Sequence, residues 1–343
     1  MDSPHYQQGK AVNSSLPWHQ EAIEQLLARW YDALLSHALI VESNDAAAID
    51  RFASSLAYVL MCEARATHPC GVCRACRLVT AETHADLFVI PPLDEATIRV
   101  DVIRELITWS QKTAQLGRVK IAVIQRAERM NRNAQNALLK LLEEPTDQTL
   151  LILGTSNPQT LLPTVRSRCE RIVLNKPSST ELSDWLRSES KTGDESVIAL
   201  ALRYAELAPM RALEIIQNGE SERFASTEAA LAAWFSAQTG ALECCQQVAQ
   251  HCSADEALSI LATALRDSLH HEWSEPTSNA SLESKHQSSL SIAIRQRSDW
   301  RQRLESLNRI QVSRNRLQHS TGLNDSIQLE SIFLEVGAMM TAR

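Results

Sequence analysis

Between residues 37 and 177 short apolar, β-branched segments alternate with longer stretches whose apolar residues recur at helical spacing. That is the pattern of a parallel α/β sheet with helical crossovers. It predicts strands at 37–42, 86–91, 119–125, 149–155 and 171–174, and helices at 46–63, 100–115, 130–143 and 158–165. Val100, Ile103 and Ile107, behind Asp101, show the helical repeat.

Pro177, Ser178 and Ser179 break this alternation, and Ser179 or Thr180 can cap a helix carrying Leu182, Trp185 and Leu186. The unit from 178 to 220, with Leu200, Leu207, Leu213 and Ile216, has the apolar content of a small lid. After Asn218 and Gly219 the pattern is wholly helical. Leu258, Leu261, Leu265 and Leu269 form one stripe, Trp300, Leu304 and Leu307 another, and Leu329, Ile332, Phe333, Val336 and Met340 a last amphipathic helix. The Ser-rich segment 274–291, with Pro276 and Asn279, reads as a loop. The expected division is an α/β domain at 1–176, a helical lid at 177–220 and an all-α domain at 221–343.

A net charge of −7 argues against a stand-alone nucleic-acid binder, which needs a concentrated basic surface, so any DNA contact would be local or shared. Seven arginines between Arg295 and Arg316 face only Asp299 and Glu305, for which a solvated helix face is the ordinary expectation. The longest apolar runs, ALIV at 38–41 and TLLIL at 149–153, fall far short of the ~20 residues that cross a bilayer. The first 30 residues lack a secretory signal, so a cytoplasmic location without membrane attachment is expected.

Cys62, Cys70, Cys73 and Cys76 fall within 15 residues, the last three separated by two-residue spacers. Short CxxC loops bring thiolates to one ion without straining the backbone, so a structural four-cysteine zinc site is favoured. Unligated thiols, a disulfide pair and an iron–sulfur cluster are the alternatives; a reducing compartment disfavours the disulfide. Cys169, Cys244, Cys245 and Cys252 are scattered and read as small core residues.

A phosphate-binding loop would follow the first strand, with glycines for close backbone approach and a lysine for charge. That junction reads VESNDAAAID at 41–50, with no glycine between Gly9 and Gly71, no lysine between Lys10 and Lys112, and with Glu42, Asp45 and Asp50 opposing a triphosphate. After KIAVI at 120–124 stand Gln125 and Arg126 where a magnesium-holding acid is required. No ATP should bind to this chain.

NALLKLLEEP at 136–145, LLILGTSNP at 150–158 and TVRSRCERI at 164–172, together with the cysteine module, occur in the order found in bacterial clamp-loader subunits. On these motifs the chain resembles the AAA+ clamp-loader family of DNA polymerase III. An intact Ser167-Arg168-Cys169 with a ruined phosphate loop resembles that family's delta-prime branch, whereas its gamma and tau ATPases keep the lysine and the acids. The resemblance implies a Rossmann-like AAA+ module with a helical lid and a helical collar that assembles a five-membered ring. It implies a stator without intrinsic activity, partnered by gamma or tau and delta, and acting on the sliding clamp and primed DNA through the assembly. Arg168, with Ser167 and Cys169, would be the candidate catalytic arginine given in trans to a neighbour's ATP. Thr155 resembles a sensor residue with no nucleotide of its own to sense, and Lys140, Glu143 and Glu144 read as ordinary helix-surface pairs. An active ATPase with an unconventional phosphate loop and a stand-alone zinc-containing nucleic-acid binder are the competing readings.

Overall fold

The computed structural model describes residues 15–64, 66–91, 97–116, 119–146, 149–205, 207–273, 288–319 and 325–341. The chain divides into two compact units, Met1–Ser178 and Ser179–Arg343.

In the first unit helix α1 (Gln20–Tyr31) precedes β1 (Ala38–Glu42), α2 (Ala46–Met61), α3 (Arg74–Thr80), β2 (Leu87–Ile90) and α4 (Val100–Ser110). Then come β3 (Lys120–Ile124), α5 (Arg132–Glu143), β4 (Thr149–Thr155), α6 (Pro163–Arg166) and β5 (Glu170–Val173). The strands form one parallel sheet in the order β2-β3-β4-β1-β5. All five predicted strands are present, with bounds shifted by a residue at most. The three inner strands β1, β3 and β4 are buried along their whole length, as covering helices on both faces require.

Side chains alternate between two cores. Leu39, Val41, Ile121, Val123, Leu150 and Ile152 pack with Ile23 and Leu27 of α1 and Ile49 and Phe52 of α2. Ala38, Ile40, Ala122, Ile124, Leu151 and Leu153 pack with Ile103 and Leu106 of α4 and Leu138 and Leu141 of α5. Gly154 lets α2 approach the sheet: a Cβ there would lie 2.7 Å from Ile49 Cγ2.

Two helices have no counterpart among the predicted elements. α1 buries Ile23, Leu26 and Leu27 at helical spacing, and α3 is only seven residues long. The helix expected at 158–165 is instead a 3-10 turn at Pro158–Thr160 followed by α6, because Leu161 and Leu162 are extended between two prolines.

The second unit is all-helical: α7 (Ser179–Ser190), α8 (Glu195–Tyr204), α9 (Pro209–Gln217), α10 (Glu220–Phe235), α11 (Ala241–Ala249), α12 (Ala254–Trp273), α13 (Ser289–Arg297), α14 (Trp300–His319) and α15 (Asp325–Thr341). Leu258, Leu261, Leu265 and Leu269 of α12 are buried, as are Leu329, Ile332, Phe333 and Val336 of α15. The Met340 side chain and most of the 274–291 segment lie outside the described residues. Phe333 stacks on Trp234 of α10 with centroids 5.1 Å apart. Of the smaller expected core, Leu182, Trp185, Leu186 and Leu213 are buried, whereas Leu207 is exposed at a left-handed turn with φ 63°.

The expected stripe on α14 is rotated. Trp300 and Leu304 are exposed, and Arg303, Ser306, Leu307 and Ile310 face inward. Arg303 is tolerated inside because Nη1 donates to the Ser268 carbonyl at 2.8 Å and Nε to the Asp299 carbonyl at 3.1 Å. The neighbouring arginines are structural ties as well: Arg297 donates to the final carbonyls of α10, Arg309 pairs with Glu335 and Arg314 with Asp255. The solvated face expected of this segment is therefore largely a set of internal braces.

Candidate functional site

The four predicted metal ligands come together. Cys62 ends α2, Cys73 caps α3, and Cys70 lies between them in a turn where Gly71 has φ 72°. All four Sγ atoms lie within 4.8 Å of one another. Tetrahedral zinc thiolates at ~2.3 Å from the ion stand a little closer together, so a small contraction completes the set. Backbone amides point at the sulfurs: Cys70 N–H to Cys62 Sγ at 3.3 Å, Cys73 N–H to Cys70 Sγ at 3.4 Å and Cys76 N–H to Cys73 Sγ at 3.3 Å. Such donors stabilise thiolate, and the amides of Val72 and then Cys73 pull Cys70 down to about 6. Burial pushes Cys76 up to about 12. Four soft donors in a closed arrangement fit a structural zinc ion, with no position left for a reacting ligand.

The place where a nucleotide would sit is the carboxyl end of the parallel strands, at the start of α2. There the Asp45 carboxylate accepts from the Ala47 and Ala48 amides at 2.9 and 3.1 Å, so a side chain already occupies the donors that would hold a phosphate. Arg126, in left-handed backbone with φ 57°, pairs with Asp50 at 3.1 Å. Glu42 is paired by Arg171 at 2.6 Å. Gln125 Oε1, Asp50 Oδ1 and Glu128 Oε2, all acceptors, are buried without a hydrogen-bond partner. Thr155 is buried and its Oγ1 accepts from the Asn157 amide at 3.2 Å.

Ser167, Arg168 and Cys169 form the turn between α6 and β5, a constellation separate in the chain from the cysteines. Arg168 Nη1 donates to the Thr164 carbonyl at 3.0 Å and Nη2 pairs with Glu143 at 2.8 Å. Ser167 Oγ donates to the same carbonyl at 3.2 Å. Cys169 is half-buried against the α5 face and burial pushes its thiol up to about 12, which marks it as packing rather than reactive. Cys244 and Cys245 are likewise buried in α11. Glu143 thus pairs across to the turn rather than only along its own helix as the spacing to Lys140 suggests. Its only sequence signal is its place in the NALLKLLEEP run.

A family model described as DNA polymerase III, delta subunit, matches residues 18–178. A DNA polymerase III subunit delta' of Pseudomonas aeruginosa is 40% identical over 172 residues, half of this chain and 52% of that protein. Its namesake in Escherichia coli is 32% identical over 265 residues, 76% of this chain and 78% of that one. This chain therefore spans about half the length of the first relative and more than three quarters of the second. A DNA polymerase III gamma-subunit-related protein of Thermotoga maritima shares the fold, with a TM-score of 0.50 at 18% identity, covering 95% of this chain and 100% of that one.

Proposed function

The chain belongs to the family of DNA polymerase III delta-prime subunits, and from that premise we propose that it is a non-hydrolysing stator of the clamp loader, the cytoplasmic assembly that places the sliding clamp on primed DNA. One observation carries the reading. The strand ends that would hold ATP are filled by the chain's own Asp45 cap and Arg126–Asp50 pair, while Arg168 stays accessible on a turn braced by the same fold.

In this reading gamma or tau binds ATP, and Arg168 reaches across the interface to it. Guanidinium is always charged and can fork two hydrogen bonds onto phosphate oxygens as charge shifts during phosphoryl transfer. Cys62, Cys70, Cys73 and Cys76 would hold zinc, which braces the α2–α3 connection and takes no part in the chemistry. Residues 177–220 would act as lid and 221–343 as the collar that joins gamma or tau and delta.

Co-purification tests the assignment: gamma or tau, delta and the clamp should be recovered with the tagged chain. Calorimetric titration of the isolated chain with Mg-ATP should give no binding. A dissociation constant in the micromolar range would instead support the reading as an active ATPase with an unconventional phosphate loop.

A further inference from the structure

The turn bearing Arg168 is fastened to α5 at two points. Gln135, 4% exposed, accepts the Leu162 amide at 2.7 Å and donates to the Met130 and Thr160 carbonyls at 3.0 and 3.3 Å. Those bonds fix the segment entering α6. Eight residues further along α5, Glu143 takes Arg168 Nη2 at 2.8 Å while Thr164 holds Nη1 at 3.0 Å. These two contacts use one N–H on each terminal nitrogen. The side chain remains 37% exposed, so the rest of the fork is open to a second acceptor.

We infer that Glu143 is a positioning residue for Arg168, holding the guanidinium in the orientation in which it meets a neighbouring subunit's ATP. The inference rests on the reading of Arg168 as an arginine supplied in trans. An unrestrained arginine would have to lose its rotamer freedom each time it docks. With Glu143 on one nitrogen and a backbone carbonyl on the other, that ordering precedes contact with phosphate. Because α5 carries both anchors, displacement of this helix would carry the arginine with it.

The test uses the loader reconstituted from the full chain, gamma or tau and delta, with clamp and primed DNA. Steady-state ATP hydrolysis is compared for the parent, Glu143→Gln, Glu143→Asp, Arg168→Ala and the Glu143→Gln/Arg168→Ala double variant. Glu143→Gln should lower kcat by no more than Arg168→Ala does, about 2- to 4-fold, with KM for ATP changed less than about twofold, since orientation and not binding is lost. Glu143→Asp keeps the charge one methylene short and should recover part of the rate. The double variant should match Arg168→Ala, because Glu143 acts only through that arginine. Melting curves of the single variants should overlay the parent's. A Glu143→Gln loader as fast as the parent or faster, beside a slow Arg168→Ala loader, overturns the positioning role and leaves the arginine's role standing. Additive losses in the double variant overturn it as well. An unaffected Arg168→Ala loader overturns the trans-acting arginine itself, and the role of Glu143 with it.

Discussion

Arg126 lies 3.1 Å from Asp50, a cation from the end of β3 meeting an anion from the first turns of α2. Across this gap a nucleotide-binding relative needs an acid on one side and an exposed row of amides on the other. Here the charge on the strand side is inverted and the helix side answers it. A guanidinium in the acid's place repels magnesium rather than holding it, and it is engaged by the Asp50 carboxylate.

That pair borders a pH dependence with two opposed parts. Burial holds His19 down to about 4, the Asn175 backbone opposing and Arg51 assisting. Between pH 4 and 6.5 the unfolded chain therefore takes up a proton that the folded one refuses, and this contribution to stability, present above 6.5, is lost as pH falls. Burial raises Asp50 to about 6 against the pull of Arg126. Its contribution runs the other way, present at low pH and lost as pH rises through 6. Each amounts to on the order of 3 kcal/mol at ~1.4 kcal/mol per pKa unit, so they largely cancel. Urea titrations of His19→Gln should reveal a stability that falls from pH 4 to 6 relative to the parent.

Zinc content gives a second measurement. Metal analysis of protein purified without chelator should find one zinc per chain, and Cys73→Ser should lose it. A serine hydroxyl can still cap α3 at the Cys76 amide, where Cys73 Sγ accepts now. Any loss then reports the metal and not the cap, and the melting temperature should drop by about 5–10 °C. Full zinc in that variant would contradict the site.

Arg168→Ala should leave zinc, melting and assembly unchanged, since a side chain 37% exposed is removed and no core is opened. ATP hydrolysis by the reconstituted loader should fall several-fold, and Arg168→Lys should restore little because an ammonium lacks the planar fork. The fall should be partial, because other subunits keep their own arginines.

Gly154→Ala tests the packing of α2 on β4. A methyl 2.7 Å from Ile49 Cγ2 must displace the helix or the strand, at a cost of about 1–3 kcal/mol. Ile49→Ala removes the obstructing group, so the double variant should lose less stability than the two single losses combined when unfolding is followed by denaturant.

The α/β unit was legible because its inner strands are buried on both faces and carry uninterrupted apolar runs, which fixes β1, β3 and β4 to within a residue. The rotation of α14 was not. Trp300 and Leu304 satisfy the helical repeat as well as the residues that are buried, and it takes the Ser268 carbonyl, 35 residues away in the chain, to help make room for Arg303 inside. The same division holds at the functional sites. CxxC spacing brings thiols together by local geometry, whereas the partner of Arg168 lies 25 positions back on α5, where Lys140 offered Glu143 an equally good neighbour on paper. The absence of an acid after β3 could be read from Gln125 and Arg126, but that Arg126 pairs with Asp50 is a tertiary fact.

The strand order also sets a timetable. β1 is flanked by β4 and β5 alone, and Leu39 meets Ile152 more than a hundred residues later in the chain. At a synthesis rate of ~5–20 residues per second, the first strand waits on the order of ten seconds at the ribosome before either strand that flanks it exists. The strand made first is the one that spends longest with both of its hydrogen-bonding edges unpaired while the protein is being made.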